Sequence, residues 1–388
     1  MDNSTLTLAY ITEGNAKDIL NGSGTVFFIA EALKKQGIEL YYIDKLIKKK
    51  HFFTHIADKF LTKIIKIFTG KQYSSNRTVK ISKMFARKIE KKLPKNIDCI
   101  FIPFGTIPIA FLRNNVKKII YNDATFAAMI NYYPGFTNLC SKTLQEGNII
   151  DKNAFENADL LIFSSDWAAQ SAVQDYNINP SKIKVIPFGA NIERSYSDDE
   201  ISVIIENRCN GKCNLLFVGV DWKRKGGNIA LEIANKLHFQ NINVHLDIVG
   251  IKDMPISLPD YVTNHGFINK KTNDGMTKIM ELYKNAHFFI FPTRQECTAI
   301  VFSEAASFAL PAITTKTGGT ETIIKDNKNG MTFHLSDSPE KYVEYIKKLV
   351  SNQDDYKKLC FSAFNDYKER LNWDAAGKQI VNSIKEIL

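Results

Sequence analysis

The segment HFFIFPTRQECTAIVFSEAASFALPAITT (His287–Thr315) passes from an apolar run through a polar turn into a helical pattern, and then into a second apolar run. HFFIFP predicts a buried strand, AIVFSEAASFAL a helix that ends before Pro311, and PAITT the next strand. Strand, helix and strand in this order form the repeating unit of a parallel sheet. The segment therefore predicts an α/β fold.

The same alternation extends through the rest of the chain. Strands are predicted at 6–11, 38–43, 97–103, 117–123, 158–165, 182–189, 213–219 and 242–250, with a polar linker at 191–200. This pattern predicts two Rossmann-like, doubly wound domains, residues 1–190 and 191–372, with a terminal helix at 373–388 that packs back on the first. Ligands of such sheets bind beyond the carboxyl ends of the strands, so we expect the site in a cleft between the domains.

Composition agrees with a globular protein of two domains. The chain has 388 residues, of which 44% are hydrophobic and 24% charged. No apolar run approaches the roughly 18 to 20 residues of a membrane span, and the first residues lack the pattern of a signal peptide, so we expect a cytoplasmic location. The six cysteines are irregularly spaced, and Cys209 and Cys213 lack a second ligand pair, which predicts reduced thiols and no metal site.

The net charge of +10 is concentrated in the first half, in segments 45–71 and 80–95. Both segments place lysines between apolar residues at helical spacing, the pattern of an amphipathic basic helix. Such helices either pack on their own domain with a solvated face or bind anionic phospholipid or a phosphorylated acceptor. In the second case the protein is peripheral on the inner face of the membrane. No nucleic-acid-binding motif accompanies the charge, so no nucleic acid is expected as a partner.

Two glutamates stand eight residues apart in an otherwise apolar and small-residue stretch. Glu296 ends the polar turn close to the start of a predicted helix, and Glu304 lies about two turns into that helix. Solvent-facing acids usually have polar neighbours, whereas these have Ile, Val, Phe and Ala. A buried carboxylate is costly without a partner, so both are predicted to meet a ligand.

The stretch FPTRQECTAIVFSEAASFALPAITTKTGGTETIIKDNKNG (Phe291–Gly330) resembles the donor-site signature of the family-4 retaining glycosyltransferases, which have the GT-B fold of two Rossmann-like domains. The positions that match its E-x(7)-E, A-x-G-x-P, Gly-Gly and N-G elements are Glu296, Glu304, Ala306, Pro311, Gly318, Gly319, Asn329 and Gly330. The resemblance implies that Glu296 lies by the transferred sugar and that Glu304 hydrogen-bonds the ribose hydroxyls. Backbone amides of Thr298, Ala299 and Ile300 would then hold the diphosphate or sugar hydroxyls.

Departures from the signature concern two glycines and one acid. Ala299 and Ala309 stand where the family usually has glycine, and a methyl group is tolerated at these positions if φ is negative. Thr322 stands where the family has an acidic residue, and the adjacent Glu321 is assigned no role.

A second resemblance lies in FVGVDWKRKGG (Phe217–Gly227), at a predicted strand-to-helix turn. A basic surface loop is the alternative. In the family, an F-x-G-R…K-G motif binds the donor diphosphate here. Lys225 matches its lysine, whereas Val220 replaces its arginine and Arg224 is the substitute nearby. The resemblance implies that Lys225 and Arg224 stabilise the leaving diphosphate without a metal.

The first half carries weaker signals. In NGSGTVFF, Gly24, or else Gly22, matches the loop that approaches the donor phosphates from the opposite domain; a plain flexible loop is the alternative. In YNDATFA, Asp123 is the candidate for acceptor contact, and capping of the next helix is an equal alternative. Asn122 replaces the histidine that family members commonly carry there.

One further loop is predicted to touch the nucleotide. NHGFI (Asn264–Ile268) is similar to the family loop whose backbone reads the base, which implicates Phe267 and Ile268.

Together these features predict a retaining glycosyltransferase that moves a hexose from a UDP- or GDP-sugar to a hydroxyl of a glycan, lipid-linked or protein acceptor. Glu296, Asp123 and Lys225 are its predicted catalytic residues, and neither a cofactor nor a metal is expected. The main alternative is a basic α/β protein that binds anionic membrane or nucleic acid and leaves its cleft unused. A nucleotide-sugar epimerase would share the fold type but not the E-x(7)-E motif.

Overall fold

The computed structural model describes residues 6–19, 24–46, 62–192, 194–209, 211–254 and 256–388. The chain divides into two compact units, residues 1–186 with 376–388, and residues 187–375. Each unit contains a six-stranded sheet in which every strand pairing is parallel. The predicted α/β class with two doubly wound sheets is therefore confirmed.

Strands and helices alternate in the first unit. The strands are β1 (Thr7–Ile11), β2 (Glu39–Ile43), β3 (Cys99–Pro103), β4 (Lys117–Asn122), β5 (Leu160–Phe163) and β6 (Ile183–Val185). Besides a helical stretch at 62–69, the helices are α1 (Thr25–Lys35), α2 (Val79–Lys92), α3 (Phe126–Met129), α4 (Ser141–Asn157) and α5 (Asp166–Tyr176).

The first sheet has the strand order β2-β1-β3-β4-β5-β6. Strands β3 and β5 are buried along their whole length, as both faces of a parallel sheet covered by helices require. The order of connection reverses between β1 and β3, so the crevice of this sheet lies outside the carboxyl ends of those two strands.

The second unit repeats the alternation. Its strands are β7 (Cys213–Val218), β8 (Val244–Val249), β9 (Val262–Asn264), β10 (Phe288–Phe291), β11 (Ala312–Thr315) and β12 (Gly330–Phe333). Its helices are α6 (Asp198–Arg208), α7 (Gly227–Phe239), α8 (Asn273–Asn285), α9 (Ile300–Ala306), α10 (Thr320–Ile323), α11 (Pro339–Ser351) and α12 (Gln353–Arg370). Helix α13 (Trp373–Lys385) follows and lies with the first unit from Ala376 onward.

The second sheet has the strand order β12-β11-β10-β7-β8-β9. Strands β7 and β10 are paired at Leu215 and Phe288. Because connections run outward in opposite directions from this pair, β7 and β10 flank the topological switch point. Loops that follow these two strands therefore border the crevice where ligands of such sheets bind.

Several elements differ from the prediction. Helices α4 and α12 and strand β12 were not predicted, and α9 ends at Ala306 instead of continuing to the residue before Pro311. The predicted linker 191–200 is too long, because α6 begins at Asp198. Ser197 Oγ accepts from the Glu200 amide at 3.2 Å, and the Glu200 carboxylate accepts from the Ser197 amide at 2.9 Å. This reciprocal cap makes SDDE a helix start.

The basic segments are only partly described. Segment 80–95 forms most of α2, whose first turn is capped by the Thr78 hydroxyl, as its helical spacing predicted. Of segment 45–71, residues 47–61 lie outside the described residues, and 62–69 are helical. In the part of the chain that the structure describes, no helix combines the length and apolar character needed to cross a membrane.

Candidate functional site

The loops after β7 and β10 are joined at the switch point of the second sheet. The amide of Arg294 donates to the carbonyl of Arg224 at 2.8 Å, and the Thr293 hydroxyl donates to the same carbonyl at 3.3 Å. From the adjacent strand end, Thr317 Oγ1 donates to the Arg294 carbonyl at 3.2 Å. Hydroxyls and an amide thus satisfy the carbonyls of a partly buried turn, which fixes the position of the residues that follow it.

Lys225 and Glu296 meet where the two loops join. The Lys225 ammonium donates to Glu296 Oε2, and both side chains are nearly buried, at 12% and 8% exposed. The ammonium also lies 5.0 Å from the ring centre of Phe291. Burial lowers the pKa of Lys225, and the Glu296 charge opposes that shift. A charge pair with so little water around it acts more strongly on a third charge than a surface pair does.

Arg224 is tied to the same turn. Its Nη1 donates to the Gln295 carbonyl at 3.1 Å, and its Nε lies 3.3 Å from Asp221 Oδ2. Val220, at the position of the family's usual arginine, is 71% exposed. The guanidinium therefore braces the residue before Glu296, and its contact with a diphosphate stays a prediction.

Glu304 is a fully buried carboxylate, 1% exposed, on α9. Lys270 Nζ donates to its Oε1 at 2.6 Å and to its Oε2 at 2.7 Å. The Tyr283 hydroxyl donates to Oε2 at 3.0 Å. Burial, with the Glu304 charge beside it, raises the pKa of Tyr283 well above its usual value, so this phenol remains a donor.

The amino end of α9 holds the residues predicted to bind phosphate or sugar. Ala299 is the residue before the helix, with φ −85°, and Ile300 is the first helical residue. The φ of Ala299 is negative, which is the condition under which a methyl group is tolerated there. Thr298 Oγ1 donates to the Cys297 carbonyl at 2.8 Å. The first amides of a helix have no acceptor within it, so ligand binding by the Thr298, Ala299 and Ile300 amides remains a prediction.

Ala309 does not meet the condition of a negative φ. Its φ is +51°, in the left-handed region that the family's glycine would occupy freely. The buried guanidinium of Arg208 donates to its carbonyl at 2.8 Å and to that of Phe308 at 2.7 Å. Arg208 also donates to the carbonyls of Tyr283 and Lys284, so one side chain holds the ends of both α8 and the segment after α9.

The loop after β9 carries Phe267 and Ile268. Phe267 is 64% exposed, whereas Ile268 packs against the core of the second unit. His265 Nε2 lies 2.7 Å from Asp247 Oδ1, and the Gly266 carbonyl accepts from the Gly250 amide at 2.8 Å. The loop is thereby fastened to the end of β8, and its role in reading a base stays a prediction.

Asn329 and Gly330 act in the folding of the second sheet. Asn329 Nδ2 donates to the Ile323 carbonyl at 2.8 Å and to Asp366 Oδ2 at 2.7 Å. A Cβ on Gly330 would lie 1.9 Å from the Ala312 carbonyl oxygen. The N-G element of the signature therefore shapes the approach to β12.

Gly24 and Asp123 lie in the first unit. Gly24 precedes α1 and has φ +88°, a backbone angle that favours glycine at this position. Gly22 lies outside the described residues. Asp123 is half-buried just after β4. The N-cap residue of α3 is Thr125, not Asp123, and its hydroxyl accepts from the Ala128 amide at 3.1 Å. Asn122 accepts from the Gly105 amide at 3.0 Å.

Sequence reasoning missed the partners of Glu304. Lys270 belongs to a chain with 51 lysines and arginines, and Tyr283 looks like any core residue of an amphipathic helix. Arg208 carried no motif either. Only the buried acid itself gave a signal, because a carboxylate in an apolar segment requires a donor. Among the described residues, no group of three or more His, Cys, Asp or Glu is placed to hold a metal ion.

Comparison with known proteins indicates the class of enzyme to which the chain is similar. Residues 203–365 match the family model described as "Glycosyl transferases group 1". The chain is 21% identical over 299 residues to the D-inositol 3-phosphate glycosyltransferase of Corynebacterium urealyticum, covering 72% of this chain and 69% of the relative. It is 26% identical over 238 residues to the lipopolysaccharide glucosyltransferase WaaG of Escherichia coli, covering 59% and 63%. The matched segment thus spans less than two thirds of the second relative.

Structural similarity extends over both units. A crystal structure of Anabaena Alr3699/HepE in complex with UDP and glucose covers 98% of this chain and 100% of its own, with a TM-score of 0.60 and 13% identity. At this identity the likeness concerns the fold, which is GT-B. With the family match and the relatives, the chain is a glycosyltransferase, an enzyme that transfers a sugar from an activated donor. This is the enzyme class predicted from the sequence. It replaces the two alternatives, a non-catalytic α/β protein that binds membrane or nucleic acid and a nucleotide-sugar epimerase.

Proposed function

We propose that the chain is a retaining enzyme that transfers a hexose from a UDP- or GDP-sugar to an acceptor hydroxyl without a metal. The observation that carries the proposal is the buried ion pair of Lys225 and Glu296 at the switch point of the second sheet. A nucleotide sugar presents a negative diphosphate next to a carbon that becomes positive as the bond breaks. The pair offers one charge of each sign to these two centres.

The reaction follows from those charges. The bond between the anomeric carbon and the diphosphate oxygen breaks while the acceptor oxygen bonds to the same carbon. Lys225 stabilises the charge on the departing diphosphate, and Glu296 stabilises the positive charge on the sugar. The acceptor approaches on the face that the diphosphate leaves, and its proton passes to a diphosphate oxygen. Configuration is therefore retained, and neither glutamate forms a covalent intermediate.

The second unit binds the nucleotide in this proposal. Glu304 accepts from the ribose hydroxyls, the amides of Thr298 to Ile300 hold the diphosphate, and the loop with Phe267 and Ile268 contacts the base. Arg224 adds positive charge near the diphosphate. The structure of Alr3699/HepE with UDP and glucose supports a nucleotide sugar as the donor. No cofactor is required, because the donor is already activated.

The first unit binds the acceptor in this proposal. Asp123 contacts the acceptor hydroxyl, and the Gly24 loop approaches the donor phosphates. The relatives' names include an inositol phosphate and a lipopolysaccharide as substrates, which supports a glycan or a lipid-linked acceptor, with protein as a further class.

Contact with an anionic membrane accompanies the proposal. Ile67 and Phe68 are 68% and 81% exposed, and the described lysines Lys63, Lys66 and Lys71 lie around them in the sequence. Exposed apolar residues between lysines suit the interface of an anionic bilayer. Co-sedimentation with vesicles that contain phosphatidylglycerol should be strong, and should fall in the Ile67→Ser/Phe68→Ser variant. Retention of full binding by that variant contradicts this contact. The cytoplasmic location stays a prediction.

A donor panel with matched variants tests the catalytic assignment. Purified protein is incubated with UDP-, GDP- and ADP-hexoses, and slow donor hydrolysis and thermal stabilisation are measured. For the donor that is used, Glu296→Gln and Lys225→Ala should each lower turnover at least about a hundredfold, since each removes a charge at the reacting centre. Glu321→Gln on α10 and Lys223→Ala in the loop after β7 change exposed residues of the same charges and should leave turnover intact.

Stereochemistry gives the second test. Product analysis by NMR should show the anomeric configuration of the donor. An inverted product, or near-native turnover of Glu296→Gln in a folded protein, refutes the proposed mechanism.

A further inference from the structure

Lys270 is a partly exposed lysine of the second unit that pairs with a buried glutamate. It lies on the loop between β9 and α8, two residues after Ile268, and its side chain reaches the Glu304 carboxylate on α9. Glu304 is 2% exposed at this contact, whereas the Lys270 side chain is 32% exposed. One end of the pair is thus nearly buried and the other is partly exposed.

Counting hydrogen-bond positions shows what the pair can still bind. A carboxylate has about four acceptor positions, and an ammonium has three N–H donors. Lys270 uses one position on each oxygen of Glu304, and Tyr283 uses a second position on Oε2. Among the described residues, one acceptor position therefore remains on Oε1, and one N–H of Lys270 remains beside it.

A vicinal diol matches this arrangement. One hydroxyl can donate to Glu304 Oε1 while the oxygen of the neighbouring hydroxyl accepts from Lys270. Two simultaneous bonds from both diol hydroxyls to the two carboxylate oxygens would instead have to displace the ammonium, which already spans them. Displacement would replace the positive partner of the 1% exposed carboxylate with neutral hydroxyls, and a buried charge without a counter-charge is costly.

We infer that Lys270 is a direct ligand of the donor nucleotide and forms, with Glu304, a single site for the ribose diol. The inference rests on the proposed function, because it takes the ligand to be a nucleoside diphosphate. It extends that proposal from one ribose contact to a charge-paired donor and acceptor. Lys270 shares its loop with Phe267 and Ile268, so the base and the ribose would be recognised by one segment.

Calorimetric titrations with paired ligands test the inference. UDP, GDP and ADP are titrated into the full chain, and the tightest of them is compared with its 2′,3′-dideoxy form. Lys270→Met should weaken the ribose nucleotide about ten- to a hundredfold, the range for a hydrogen bond to a charged group. The dideoxy nucleotide, which lacks the diol, should lose far less. Lys271→Met, at the adjacent exposed lysine, serves as the control and should change neither affinity.

A second pair of variants distinguishes direct contact between Lys270 and the nucleotide from an indirect effect of Lys270 through Glu304. Glu304→Gln is compared with Lys270→Met/Glu304→Gln, in which no buried charge is left unpaired, so the comparison also holds if Lys270→Met alone does not fold. The double variant should bind the ribose nucleotide several-fold more weakly than Glu304→Gln, about the effect of one neutral hydrogen bond or more.

Each alternative outcome is decisive. If Lys270→Met weakens ribose and dideoxy nucleotides equally, or if the double variant binds as tightly as Glu304→Gln, Lys270 is not a ribose ligand, and the proposed function stands. If the wild-type chain binds none of the three nucleotides, the proposed function itself fails and the inference falls with it.

Discussion

Gly226 joins Lys225 to helix α7. Its replacement by alanine should lower the free energy of unfolding by more than its positive φ angle alone explains. Gly226 and Gly211 both have φ +77°. A Cβ on Gly226 would lie 1.9 Å from the Pro292 carbonyl oxygen, whereas a Cβ on Gly211 would meet nothing within 4 Å. The two glycines therefore separate the cost of the backbone angle from the cost of close approach.

The magnitudes follow from these distances. Left-handed backbone costs alanine about 1 to 2 kcal/mol at either position. At Gly226 the Pro292 carbonyl must also move by about 1 Å or more, and overpacking of this kind costs about 1 to 3 kcal/mol further. We expect Gly211→Ala to lower the free energy of unfolding by about 1 to 2 kcal/mol and Gly226→Ala by about 2 to 5 kcal/mol.

Urea unfolding followed by the fluorescence of Trp222 provides the assay, because this ring packs against Gly227. Both variants are compared in one background, Trp167→Phe/Trp373→Phe, so that Trp222 is the reporter. Gly226→Ala should also lower sugar transfer, since Pro292 begins the turn that leads to Glu296. Equal losses of stability in the two variants refute the role assigned to the close approach.

Three further changes test other parts of the second unit. Burial lowers the pKa of Lys225, so sugar transfer should begin to fall with rising pH at a pH below the ordinary lysine pKa. In Lys225→Arg this fall in activity should move to higher pH. If the alkaline side of the pH profile is unchanged in that variant, Lys225 is not the group that titrates. Burial lowers the pKa of His287 to about 4, so the unfolded chain binds the extra proton first. Between pH 7 and 4 the free energy of unfolding should drop by about 3 kcal/mol through this residue, a loss absent in a folded His287→Gln. Ala309→Gly relieves a positive φ and should raise the free energy of unfolding by about 1 kcal/mol; a loss of stability would mean that the methyl group packs well enough to outweigh the strain.

The fold could be predicted because its buried strands are continuous apolar runs in the sequence. Four consecutive buried residues at Phe288–Phe291, followed by a proline and a polar turn, indicate a parallel strand without any knowledge of its neighbours. Helix α4 escaped prediction because its sequence, SKTLQEGNIIDKNAFEN, has few apolar residues and a glycine inside it. That glycine faces the Phe126 ring, a tertiary contact that local spacing does not reveal.

The site was accessible from sequence only where chemistry leaves a mark on composition. Glu296 and Glu304 stood out as acids in an apolar stretch, and Lys225 as a lysine before paired glycines. Lys270 left no such mark, because its partner lies 34 residues away in the chain. The positive φ of Ala309 was equally hidden, since alanine gives no sign of a left-handed turn that a distant arginine supports.

The four carbonyl contacts of Arg208 have a consequence for dissecting the enzyme. Arg208 is the last residue of α6, which precedes the first strand of the second sheet, yet it closes segments about 75 to 100 residues further along. A fragment that begins at β7 would contain every nucleotide contact predicted for the second unit and still lack the side chain that fastens α8 to the turn at Ala309. An autonomous donor-binding module should therefore start upstream of the Ser197 cap, and shorter fragments should expose a loosened core to proteases.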